Sequence, residues 1–336
     1  MLKRLRAFWV GAGVLAVTVG GALYHQVNSV LDAPLVSEHD EALVIQVPSG
    51  SHFQGVIRQL QTLSLIDHPF FWRAYGRLVN PQLKAGEYFI RPGQTWVDSI
   101  AQMRQGRVRL HSLTVVEGWT IADFRRRLAR EPKLTQVATD WSNQRLMEAL
   151  GCEGCFAEGH FMPETYLYTR GDSDLSILER AHQSMQRVLD DVWAQRDETL
   201  PIDTPQGLLI LASLIEKETA LERERGTIAG VFARRLQRGM RLQTDPTVIY
   251  GLDATYNGDL TRTHLRTDHP WNTYTRHGLP ATPIALPSRA SLLAASQPEA
   301  GQALYFVARG DGSHQFSATL DAHNRAVNRY IRGHEK

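Results

Sequence analysis

The sequence predicts an α+β protein in three parts: an N-terminal transmembrane helix, a βα module, and a larger mixed α+β domain. Three observations predict it. An uncharged apolar run over residues 7–24 follows Lys3, Arg4 and Arg6. Between residues 42 and 128 an alternating apolar strand, a glycine-bearing turn and an amphipathic helix recur three times. Beyond Pro132 long helical patterns give way to a turn-rich aromatic stretch and one late strand.

A chain of 336 residues exceeds the usual size of one domain, so an anchor plus two folded units is expected. Hydrophobic residues at 43% and charged residues at 21% exclude a mostly disordered chain and a polytopic membrane protein. Lys plus Arg (37) nearly balance Asp plus Glu (35), and the charges are mixed along the chain. No basic face suited to phosphates results, so no nucleic-acid partner is expected.

Taken in order, residues 1–6 form a basic tail and residues 7–24 the span, near the lower length limit for crossing a bilayer. The basic flank stays cytoplasmic, which makes this a single-pass inner-membrane protein with its bulk in the periplasm. A cleaved signal peptide is the competing reading, but Gly20 to Tyr24 lack a small-x-small cleavage site. Residues 25–41 are a linker, and the βα module occupies 42–131. Its copies start at Leu43, Tyr88 and Leu113; aligned on Gly50, Gly93 and Gly118, they place Leu60, Met103 and Leu128 at one apolar helix position. Ser51 with Gln54, Thr95 with Asp98, and Thr120 with Asp123 fit helix-capping patterns.

The mixed domain then spans 132–336. Cys152 and Cys155, the only cysteines, lack a second pair for a zinc site, and a local loop disulfide suits an oxidising compartment. A long helix is expected over 174–196, a stronger one over 207 to about 226 with Thr204 as N-cap and Pro205 at its first position, a strand over 304–308 and a closing helix over 321–331.

The helix after Thr204 is apolar almost all round, which marks it as buried, and it carries two acids. At about 100° per residue Glu218 shares a stripe with Leu211, Leu214, Ile215 and Leu221, whereas Glu216 points about 160° away. A carboxyl among leucines resists ionisation, which suits a general acid. Pairing with one of Arg223, Arg225, Arg234, Arg235 and Arg238 is the structural alternative. The following loop mixes hydroxyl, amide and aromatic groups, as sugar binding requires: Gln243, Thr244, Asp245, Tyr250, Asn272 and Tyr274 are the candidate substrate-binding residues. Asp245 could equally serve as a turn acid ahead of Pro246, and the aromatic residues as core.

The motifs Leu214-Ile-Glu-Lys-Glu-Thr-Ala220, Met240-Arg-Leu-Gln-Thr-Asp-Pro-Thr-Val-Ile-Tyr-Gly251, Tyr256-Asn-Gly258, Asn272-Thr-Tyr274 with Gly278-Leu-Pro280, and Tyr305-Phe-Val307 with His323-Asn324 closely resemble the MltG/YceG-like family of endolytic murein transglycosylases. The module at 42–131 likewise resembles a LysM-like glycan-binding domain. Departures are Pro163-Glu-Thr-Tyr166 and Pro287-Ser288, where the family often has Pro-Asp-Thr-Tyr and Pro-Gly.

The resemblance implies that Glu218 is the catalytic acid for cleavage of the β-1,4 bond between N-acetylmuramic acid and N-acetylglucosamine, closing a 1,6-anhydro ring without a metal or cofactor. It also implies that the substrate is nascent peptidoglycan glycan strands and that peptidoglycan synthases are partners. Because the nucleophile is the substrate's own hydroxyl, no second carboxylate is required. Two rivals stand: a lysozyme-like hydrolase using Asp245, and a non-catalytic glycan-binding or scaffold protein in which Glu218 is dispensable.

Overall fold

A computed structural model describes residues 2–48 and 50–334; Met1 of the basic tail and the last two residues of the C-terminal domain lie outside the described residues. The chain divides into two compact units, Met1–His111 with Thr169–Gly171, and Ser112–Tyr168 with Asp172–Lys336.

Unit 1 begins with α1 (Leu2–Leu31), whose stretch Gly11–Leu31 is long and apolar enough to cross a membrane. Then come β1 (Leu43–Val47), α2 (Phe53–Thr62), α3 (Pro69–Leu78), β2 (Gly86–Ile90) and α4 (Trp96–Gln105). β1 and β2 pair antiparallel, with Ile45 opposite Tyr88. Their inward residues close over the α2, α3 and α4 faces in one core built on Ile45, Tyr88, Leu60, Trp72 and Met103.

Unit 2 contains α5 (Ile121–Ala129), α6 (Asn143–Ala149), α7 (Asp174–Ala194), α8 (Pro205–Glu218), α9 (Glu222–Gln237), α10 (Asp245–Leu252), α11 (Arg262–Arg266), α12 (Arg289–Ser296) and α13 (Leu320–Tyr330). Two short sheets accompany them: β3 (His111–Thr114) with β4 (Thr165–Tyr168), and β5 (Tyr305–Ala308) with β6 (His314–Ser317). α8 runs through the larger of its two cores, where Leu208, Leu211, Leu214 and Ile215 are fully buried.

The threefold strand-turn-helix pattern is present in the backbone. Gly50, Gly93 and Gly118 all sit at φ 75°, in the left-handed region that glycine enters without steric penalty, and Leu60, Met103 and Leu128 are all buried. Three particulars differ from expectation. Ser51 does not cap α2: the cap position is His52, with no side-chain bond, whereas Thr95 and Thr120 cap α4 and α5. The strand of the third copy, β3, pairs with β4 instead of with β1 or β2, and the two compact units divide near residue 111.

The third difference concerns the glutamate. The helix expected to run to about Gly226 is two helices, since Thr219 turns extended (φ −146°, ψ 137°) and ends α8 at Glu218. The Thr219 hydroxyl accepts a hydrogen bond from Leu221 N at 3.0 Å, fixing the break. Leu221 therefore leaves the stripe and becomes the residue before α9. Cys152 and Cys155 form the expected local disulfide.

Candidate active site

Glu218 is the last residue of α8, carried there by a stripe of buried leucines. It opens onto a cleft of about 470 Å³ in unit 2, lined also by Arg235, Gln243, Thr244, Asp245, Tyr274 and residues of the β5–β6 hairpin. Burial, reinforced by the negative charge of Asp245, pushes its carboxyl up from 4.5 to about 7. Its place at the negative end of the α8 dipole acts in the same direction. Opposing this rise, the Thr244 hydroxyl donates to its Oε1, and His314 and Arg235 contribute positive potential.

Glu216 meets the opposite surroundings. Its Oε2 accepts from Ser288 N at 2.9 Å, Ser288 Oγ at 2.5 Å and Ser291 Oγ at 2.7 Å, at the N-terminus of α12, and Arg225 lies 3.6 Å from its other oxygen. It ties α8 to α12. Ser288 thus supplies both the N-cap of α12 and a donor to this carboxylate.

Of the six residues expected to contact substrate, the structure brings Gln243, Thr244, Asp245 and Tyr274 to the cleft. Gln243 N bonds to Thr273 O at 3.2 Å and Thr244 N to Thr273 Oγ1 at 3.1 Å, so the 243–245 and 272–275 segments are held side by side. Gln243 adopts φ 48°, a left-handed conformation that costs a non-glycine residue on the order of 1 kcal/mol and concentrates at functional sites. Asp245, instead of merely ending a turn, starts α10 and accepts the Tyr274 hydroxyl proton, whose own ionisation is pushed up by burial and by that bond.

Tyr250 and Asn272 lie elsewhere. Tyr250 faces a second cavity of about 500 Å³ with Trp271, Thr282 and Glu158; its hydroxyl donates to Glu158 Oε2 at 3.2 Å, and its ring meets Trp271 edge-on at 5.6 Å. Asn272 is fully buried: its amide donates to the carbonyls of His264, Leu265 and Thr267 at 2.7–3.2 Å, while its oxygen accepts Tyr274 N at 2.8 Å. It shapes the loop that presents Tyr274. Residue type told donors from acceptors in both cases but not the direction in which they point.

Three further residues line the cleft that the sequence did not mark as substrate-binding. Arg235, buried on α9, is clamped by the carbonyls of Leu304 at 2.6 Å and Leu242 at 2.7 Å, with its guanidinium 5.1 Å over the Tyr305 ring. His314 donates its backbone N–H to Oε1 of buried Glu224 at 3.1 Å, and its Nδ1 lies 2.7 Å from Oε2 of the same carboxylate. His323 stacks on Tyr305 at 5.2 Å, and burial lowers its basicity. Only the arginine cluster and the His323-Asn324 motif gave any signal; nothing local marks His314, whose partner is 90 residues away.

The model of the YceG-like family matches residues 45–329. The chain is 27% identical to an endolytic murein transglycosylase of Bacillus subtilis over 93% of this chain and 91% of that one. It is 25% identical to one of Streptococcus pneumoniae over 98% of this chain, spanning 66% of that longer protein. A crystal structure of a YceG-like protein from Listeria monocytogenes superposes with a TM-score of 0.56 at 28% identity, covering 85% of this chain and 98% of that one.

Proposed function

We propose, from the premise that this chain belongs to the YceG-like family, that it is a peptidoglycan lytic transglycosylase with Glu218 as its catalytic acid. The observation that carries the reading is one carboxyl, held protonated to about pH 7, at the end of a buried helix and open to a polar-aromatic cleft. A general acid works best when its pKa lies near the working pH.

The substrate is the glycan strand of nascent peptidoglycan, and the bond is the β-1,4 link between N-acetylmuramic acid and N-acetylglucosamine. Glu218 gives its proton to the bridging oxygen as the bond from the muramoyl anomeric carbon to that oxygen breaks. The resulting carboxylate then takes the proton of the muramoyl 6-hydroxyl as that oxygen bonds to the same carbon. A 1,6-anhydro ring closes, the acid is regenerated and no water is consumed. Arg235 and the Glu224-held His314 stabilise the carboxylate between the two transfers, because their positive potential favours its charged form. Thr244 orients it, while Gln243, Asp245 and Tyr274 hold the sugars.

Asp245, in the same cleft, favours a second reading, hydrolysis with two carboxylates. The products decide between them. Mass spectrometry after incubation of the wild type and Glu218→Gln with un-nicked strands is expected to give anhydromuramoyl ends from wild type alone. Reducing ends would replace the transglycosylase reading with the hydrolase one, and equal cleavage by the variant would remove Glu218 from its role.

We propose further that α1 anchors the chain in the inner membrane, with the βα module and unit 2 in the periplasm and peptidoglycan synthases as partners. The paired β1 and β2 with their helices support a LysM-like module that binds glycan.

A further inference from the structure

Unit 1 leaves one helix face uncovered. α3 turns Trp72 inward, 1% exposed and 4.0 Å from the Trp96 ring, and turns Phe70 (82% exposed) and Leu78 (86% exposed) outward. Arg73 and Arg77 are exposed on the same side, and the Arg73 guanidinium lies 5.6 Å over the Phe70 ring. Leu63 before the helix and Val79 after it are also exposed. Single exposed apolar residues are ordinary; four of them flanking two arginines on one short helical hairpin are not.

What lies beside this face identifies its environment. Pro69, Phe70 and Phe71 form an apolar cavity of about 460 Å³ together with Leu23, Val27 and Val30 of α1. Those α1 residues belong to the stretch Gly11–Leu31, the part long and apolar enough to cross a membrane. At 1.5 Å per residue, Leu23 to Val30 covers about 10 Å at the outer end of that stretch, comparable to the depth at which an interfacial helix buries its apolar face. Whatever surrounds this part of α1 therefore also surrounds Phe70.

We propose that the α3 face is a second membrane contact: Phe70 and Leu78 lie at the acyl boundary of the outer leaflet, and Arg73 and Arg77 reach the phosphates of phospholipid headgroups. The aromatic-basic pairing is the composition that interfacial helices favour, and the arginine stems can run along apolar surface while their charged ends stay hydrated. The contact gives the βα module two points of attachment to the bilayer instead of one tether, which restricts its tilt and rotation. It rests on α1 being a membrane anchor.

The test uses the full chain in vesicles of phosphatidylethanolamine and phosphatidylglycerol, with a single nitroxide at Phe70→Cys, Leu78→Cys or Leu23→Cys. The native cysteines are disulfide-bonded, so only the new thiol is labelled. Power saturation compares collisions with oxygen, which partitions into lipid, against those with a water-soluble nickel chelate. Oxygen is expected to dominate at all three positions, less at 70 and 78 than at 23. If nickel dominates at 70 and 78, or neither reagent reaches them, while 23 stays in lipid, the α3 contact is refuted and the anchor stands. If 23 also reports water, both readings fall.

Discussion

Replacing Glu218 by glutamine keeps the side-chain shape and an acceptor for the Thr244 hydroxyl while removing the titrating proton. In the wild type the folded state holds that proton to about pH 7, whereas a free carboxyl releases it near 4.5. At about 1.4 kcal/mol per pH unit the difference is worth about 3 kcal/mol, an upper value because the side chain retains some access to water. The sign follows from linkage: a carboxyl whose folded pKa is raised contributes full stability below about pH 4.5 and loses it as the pH rises through about 7. The glutamine has nothing to lose, so the stability of Glu218→Gln relative to wild type should increase by about 2 to 3 kcal/mol between pH 4 and 8. Urea unfolding of both proteins across that range, read in the transition of unit 2 by tryptophan fluorescence, measures it. A difference independent of pH would refute the claim that the fold holds this carboxyl protonated. The same group should set the alkaline limb of the wild-type rate, with kcat/KM falling above about pH 7 as the acid is lost.

Other substitutions separate the contributions around it. Thr244→Val removes the hydrogen bond that favours the ionised carboxylate, so the alkaline limb of the pH–rate profile should move to higher pH; a move to lower pH would contradict the assignment. Glu224→Gln loses the charge that holds His314 and should lower kcat by about tenfold or more with KM little changed, as steady-state kinetics on defined strands would reveal. Asn272→Ala removes the four hydrogen bonds made by a fully buried side chain and should destabilise unit 2 by about 3 kcal/mol, measured by chemical denaturation. Glu158→Gln, in the second cavity, should gain relative stability as the pH rises from about 4.5 to about 7, because burial raises that carboxyl to about 7 as well, while leaving the rate unchanged.

Local signals were legible and distant pairings were not. The strand-turn-helix copies could be read because each is built within about 20 residues, from an alternating strand, a left-handed glycine and a short amphipathic helix. That the third copy pairs its strand with residues 165–168 is a contact made across some 50 residues of chain, which periodicity does not encode. The apolar stripe selected Glu218 over Glu216, but the stripe was drawn one turn too far: the chain breaks at Thr219 through a hydroxyl bond to Leu221 N, and no proline or glycine announces it. Tyr250 was readable as an aromatic hydrogen-bonder, yet its position five residues into α10 carries it to the second cavity while Asp245 at the helix start stays in the cleft.

Comparing Glu216, Glu158 and Glu218, three of the glutamates of unit 2 withdrawn from bulk water, shows why burial alone does not make an acid catalyst. Glu216 is surrounded by donors and a cation, so its negative charge is matched and it acts as a joint between helices. Glu158 is raised to about 7 like Glu218, but its two oxygens are occupied by Ile121 N at 3.0 Å and the Tyr250 hydroxyl at 3.2 Å. A proton there has no direct path to a substrate oxygen. Glu218 has one hydroxyl on one oxygen, and it shares its cleft with Asp245, which discourages its ionisation, and with Arg235 and His314, which favour it. Those opposing charges are what a group needs if it must first give up a proton and then take one back. The pKa sits near neutrality because burial, with Asp245, raises it while the Thr244 hydroxyl, His314 and Arg235 check the rise.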